Sequence, residues 1–108
     1  MLTPVSYVTT PDGWGQDQGV WDRAEFEGGS SIQFQNGPQA TRGINGVADD
    51  DVLKVVVDHQ RALQKAIPSR ERAMVITKLD EARQWDRTRA ELENTREKAV
   101  QRAGGQNV

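Results

Sequence analysis

Ile67-Pro68-Ser69-Arg70-Glu71-Arg72-Ala73-Met74-Val75-Ile76-Thr77-Lys78-Leu79-Asp80-Glu81-Ala82-Arg83-Gln84-Trp85 holds a turn, a helix start and a group of anion-seeking side chains. Pro68 has no N–H and biases the residue before it out of the α region, so it ends the preceding helix. Ser69 is suited to cap a new one, its hydroxyl accepting a first-turn N–H. Arg70 and Arg72 then fall at the positive end of that helix, where cations are disfavoured. A bound phosphate would account for them. So would solvation of both beside Glu71.

Upstream of this turn, residues 49–66 read as a helix capped by Asp49 or Asp50. Val52, Leu53, Val56, Leu63 and Ile67 share one face at three- and four-residue steps, broadened by Val55 and Val57. The link at Pro68-Ser69 is so short that the two helices must be antiparallel neighbours. Downstream, the inward face reads Ala73, Val75 or Ile76, Leu79 and Ala82, with Trp85 close to the core. Beyond Trp85 the apolar pattern thins to Leu92, Ala99 and Val100, and nine of the eighteen residues in 86–103 are charged. Helix formers dominate there, which predicts one helix to Ala103, about 50 Å long. It outruns its partner, so its last half is solvated, frayed or packed on another subunit. Gly104-Gly105 ends it, and residues 104–108 form a disordered tail.

Residues 1–46 differ in kind. They hold eight of the ten glycines and three of the four prolines. Residues 5–9 have strand-like content, Pro11-Asp12-Gly13 is a turn signal, and 24–27 with 31–35 form a plausible hairpin. Two strands are marginal alone, so this segment needs a packing surface. The fold expected is α+β: a small N-terminal β region over 1–46, packed on a long antiparallel two-helix hairpin over 47–103, in an oligomer.

At 108 residues the chain is one domain with a modest core. Only 35% of it is hydrophobic and its mean hydropathy is −0.75, which points to burial completed by association. It has no cysteine, hence no disulfide frame and no thiolate metal site. No apolar run approaches the ~20 residues that span a bilayer, and the N-terminus has no signal-type pattern. A soluble, intracellular protein is expected. Net charge is −2, divided as −6 over residues 1–58 (nine acidic, three basic) and +4 over 59–108 (seven acidic, eleven basic). That is too dispersed for a duplex-DNA stripe, and nucleic-acid polymers are not the expected partner.

No catalytic set emerges. His59 is a lone helical histidine without the companions a metal site needs, and packing is its default role. Asp49-Asp50-Asp51 reads as capping and dipole compensation. No phosphate loop or dinucleotide fingerprint is present. What remains is binding chemistry. Arg70, Arg72, Thr77 and Lys78 lie within two turns of a helix start, and Arg70 and Thr77 share a face. Guanidinium groups suit phosphate, and a hydroxyl suits a sugar or phosphate oxygen. Trp14 and Trp21 stand in glycine-rich sequence, where they either stack on a base or plug an interface. Trp85 reads as core.

The pattern Ile67-Pro68-Ser69-Arg70-Glu71, Ala73, Ile76-Thr77-Lys78-Leu79-Asp80-Glu81-Ala82 and Trp85 resembles the hairpin domain of small phage proteins that counter bacterial cyclic-nucleotide immunity. These are the anti-CBASS cyclic-nucleotide sponges and the Thoeris anti-defence sponges. The resemblance extends upstream through Asn36-Gly37-Pro38 and Gly43-Ile44-Asn45-Gly46 and covers about half the chain. It implies a non-catalytic oligomer, commonly a hexamer, that sequesters an immune messenger in the cytoplasm of an infected host. The strand-like residues before Asp49 resemble the branch whose implied ligand is a cyclic ADP-ribose signal, with cyclic di- or trinucleotides at separate sites. By residue type and by the match at the turn, Ser69, Arg70 and Thr77 are the candidates for phosphate. Arg42, Asn36 and Phe34 are the candidates for base or ribose. No cofactor and no metal is expected. The alternative is a structural phage protein that uses the long charged helix for assembly and takes no small ligand.

Overall fold

The computed structural model describes residues 3–106 and divides into two compact units, Met1–Asp51 and Val52–Val108. In the first, three short strands form an antiparallel meander: β1 (Val5–Val8), β2 (Arg23–Phe26) and β3 (Ser31–Gln33), in the order β1-β2-β3. Tyr7 pairs with Ala24 and Ala24 with Ile32, so these three lie in one cross-strand row on one face. Ala24, the middle one, is buried. All three expected strands are present; β1 and β3 are shorter than the pattern suggested, and β2 keeps its length but begins one residue earlier. The four-residue helix α1 (Gln39–Arg42), absent from the sequence reading, fills the stretch after Pro38.

Beyond β3 the chain returns alongside itself. Phe34 and Val47 form a parallel bridge. Gln35 N–H donates to Val47 O at 2.8 Å, and Val47 N–H donates to Gln33 O at 2.9 Å. Gly46 makes this approach feasible. A Cβ there would lie 2.5 Å from both the carbonyl carbon and oxygen of Phe34.

The helical part comprises α2 (Asp49–Ala66) and α3 (Arg70–Gln106). The cap of α2 differs from expectation. Neither Asp49 nor Asp50 precedes the helix; Ala48 does, and Asp51 Oδ2 accepts its N–H at 3.1 Å from inside the first turn. Of the face expected on α2, Val52, Leu53 and Leu63 are partly covered, whereas Ile67 is exposed. Val57 is 0% exposed, whereas Val55 and Val56 are exposed. A run of three valines carries no phase of its own; the covered stripe runs through Val52, Leu53, Val57, Gln60, Leu63 and Gln64.

On α3, Ile76 rather than Val75 is partly covered, together with Leu79, while Ala73 and Ala82 are exposed. Trp85, expected near the core, is 74% exposed. At 37 residues, α3 is about 55 Å long. It continues past Gly104-Gly105 to Gln106, beyond the stop expected after Ala103; residues 107–108 lie outside the described residues. Its distal half is supported by local charge pairs, with Arg89 bound to Asp86 at 2.9 Å and to Glu93 at 2.7 Å. Among the described residues, no helix is long and apolar enough to cross a membrane.

Candidate functional site

The turn between α2 and α3 is built by Gln64. Its amide nitrogen donates to Ser69 O at 3.0 Å, and its amide oxygen accepts Ser69 N–H at 3.0 Å. Ser69 is thereby held as the N-cap of α3, and its hydroxyl accepts Arg72 N–H at 3.0 Å. Arg61 on α2 reaches Asp80 on α3 at 2.6 Å, tying the two helices across the turn.

The two first-turn arginines separate in role. Arg72 Nη1 donates to Ile67 O at 2.5 Å, at the carbonyl-rich end of α2. Its charge sits between the positive end of α3 and the negative end of α2, so no bound anion is needed to explain it. Arg70 is exposed and makes no hydrogen bond or ion pair with the described residues. Thr77 is also exposed, and its hydroxyl donates to Ala73 O at 3.1 Å, which leaves its lone pairs for a further donor. Replacing Ser69 by Ala removes the cap and should cost about 1 kcal/mol. Thermal unfolding followed by far-ultraviolet circular dichroism reads this directly.

The other three candidates lie in the β unit. Asn36 is 7% exposed, and its Oδ1 accepts both Trp14 N–H at 2.6 Å and Arg42 Nη1 at 2.9 Å. Arg42 also donates through Nη2 to Asp12 O at 3.2 Å. Asn45 completes the net: its Oδ1 accepts Asn36 N–H at 2.7 Å, and its Nδ2 donates to Asn36 O at 3.0 Å. Asn36 and Arg42 therefore come together, already bonded to the loops they organise. With Thr10, Asp22, Gln33 and Asn45 they line an open depression of about 290 Å³. Phe34 is half-buried and meets Trp21 edge to face, with ring centroids 5.9 Å apart.

Asp22, which the sequence reading passed over, is the centre of this unit. It is 3% exposed. Its carboxylate accepts Thr10 N–H at 2.9 Å, the Thr10 hydroxyl, and Gln33 Nε2 at 2.9 Å. Burial pushes the carboxyl up, but the bonds from the Thr10 hydroxyl, Gln33 and the Thr10 backbone outweigh it and hold Asp22 below the usual carboxylate value. The available signal was its parity: Asp22, Ala24 and Phe26 alternate as one face of β2, which places an acid on the apolar side. His59 is exposed, and no group of His, Cys, Asp or Glu among the described residues could hold a metal ion.

Fold and site together define a small α+β protein whose helices meet at a capped, arginine-bearing turn. The chain belongs to the Acb2/Tad1 hairpin-domain family, whose family model matches residues 30–91. It is also similar to Thoeris anti-defense 1 of Bacillus phage SBSphiJ7, with 36% identity over 76 residues. That match covers 64% of this chain and 54% of the relative, so the chain spans about half the length of the curated relative it matches.

Proposed function

We propose that this chain is a phage anti-defence sponge, which binds a cyclic nucleotide or cyclic ADP-ribose immune signal in the host cytoplasm and withholds it without cleaving it. One observation carries the reading: Arg70 stands exposed on the first turn of α3, on a backbone fixed by Gln64 and Ser69, with Thr77 two turns along. A guanidinium with no internal partner at the positive end of a helix is arranged for an anion. Family membership and the anti-defence name of the relative point the same way. Ser69, Arg70 and Thr77 are the candidates for phosphate in this reading; Phe34, Asn36 and Arg42, in the other unit, are separately candidates for base or ribose. The working form is an oligomer of antiparallel hairpins, hexameric by the family resemblance. The exposed apolar side chains Ile67, Met74, Val75, Trp85 and Leu92 support such association.

Native mass spectrometry against cyclic dinucleotides, cyclic trinucleotides and cyclic ADP-ribose isomers tests this. Stoichiometric capture of one class, released intact on denaturation, is expected. An oligomer that captures none of them, or a ligand returned altered, overturns it. Replacing Arg70 by Ala should weaken capture by about 1.5–3 kcal/mol, the value of a hydrogen bond to a charged group. Unchanged affinity in a correctly assembled variant would remove Arg70 from the site.

A second reading rests on the distal half of α3, where Trp85, Leu92 and Val100 are exposed along a charged helix. Here the helix is an assembly device and no small ligand is involved. Deleting residues 88–108 should then abolish assembly, and nucleotides should leave thermal stability unchanged.

A further inference from the structure

The apolar face of the β unit carries three aromatic rings that do not close into a core. Tyr7 and Trp21 have centroids 4.4 Å apart at 38°, and Phe34 meets Trp21 edge to face at 76°. Tyr7 is 60% and Trp21 41% exposed. Exposed tryptophan is ordinarily mobile, but this one is braced through its neighbour. Asp22 N–H donates to Val8 O at 3.0 Å, Phe34 N–H donates to Asp22 O at 2.7 Å, and the buried Asp22 carboxylate binds Thr10 and Gln33. Trp21 and Phe34 are thus carried on backbone pinned to both β1 and β3. Beside this pair lies an open depression of about 250 Å³, lined by Val20, Trp21, Phe34, Gln35 and Asp49. Its lining combines ring and aliphatic carbon with an amide and a carboxylate.

We infer that this depression is a base pocket in which an amine-bearing purine stacks on Trp21 and meets Phe34 edge to face while Asp49 accepts its exocyclic N–H. The choice of a nucleotide base as occupant rests on the function proposed above. Flat rings gain from stacking whatever their sequence identity, and a carboxylate rewards a ring that offers N–H donors at its edge. Asp49 is free for this task because Asp51, not Asp49, bonds the N–H of Ala48. Trp21 supplies the stack, and Asp49 is the residue that sets base specificity.

The test is tryptophan fluorescence of the full chain titrated with adenosine and with N6,N6-dimethyladenosine, which lacks the amine donors. Adenosine should quench saturably and bind about tenfold more tightly than the dimethyl compound, the factor expected for one hydrogen bond to a charged acceptor. Trp21→Phe should abolish most of the quench. Asp49→Ala should bring the two ligands to within about twofold, as loss of that single bond requires. Near-ultraviolet circular dichroism establishes that each variant keeps its aromatic packing. Absence of saturable quenching in the parent chain overturns the pocket. So does an adenosine preference that survives Asp49→Ala. If the chain captures a cyclic signal while these titrations fail, the pocket alone is wrong. If adenosine behaves as stated while the whole panel of cyclic signals is ignored, the sponge reading falls and the pocket stands.

Discussion

Replacing Asp22 by Ala should destabilise the β unit by about 3 kcal/mol, because it leaves buried donors without an acceptor as well as removing bonds to a charge. Thr10 N–H, the Thr10 hydroxyl and the Gln33 amide all lose their partner at once. The two ends tied here lie twelve and eleven residues away in sequence, so the change loosens β1 and β3 together. The same carboxylate gives the unit an acid limit. Its pKa is depressed in the folded chain relative to the ordinary value of 3.8. Its stabilisation is therefore fully present above that value and is lost as pH falls through the lower, folded value. Chemical denaturation at neutral pH, followed by the signal of Tyr7, Trp21 and Phe34, should show the loss. The variant should also lose the part of the acid sensitivity below pH 3.8 that the parent owes to Asp22. A variant as stable as the parent would show that water replaces these bonds at no cost.

The second large effect is expected from Gly46→Ala. A single methyl group would press on the Phe34 peptide at 2.5 Å and on Gln33 O at 2.7 Å, and all of these are backbone atoms that cannot swing aside. Overpacking of this kind costs about 1–3 kcal/mol, and relief by separation would break the Gln35–Val47 and Val47–Gln33 hydrogen bonds. The variant should therefore unfold its β unit at lower denaturant while α2 and α3 keep their helical signal. Equal stability in both parts would mean that the bridge at Phe34 and Val47 holds nothing in place.

The helices were legible because their signals are local. Pro68 and Ser69 mark the turn within two residues, and the three- and four-residue spacing marks both helices. Phase was not legible where the chain offered no contrast: Val55, Val56 and Val57 are interchangeable until a neighbour covers one of them. Trp85 misled for a related reason. Its size suggested burial, but the covered stripe of α3 runs through Ser69, Arg72, Ile76, Leu79, Asp80, Arg83 and Asp86 and so passes it by. The binding candidates divide along the same line. Ser69 could be read as a cap from its position. The partners of Asn36 and Arg42 could not, because Trp14 and Asp12 are 22 and 30 residues distant from them. The partner of Arg72 was not legible either, because the carbonyl it bonds, that of Ile67, lies just past the end of the other helix.

Gln64 has a consequence for how such a protein can change over generations. It grips the backbone of Ser69 from both sides, so the geometry of the turn is set by a side chain on α2 and not by the exposed side chains at 70 and 77. Those positions can be exchanged without redrawing the bend beneath them. If the turn is the binding edge proposed above, a lineage can alter what it displays in single steps, each on an intact scaffold, without refolding the bend.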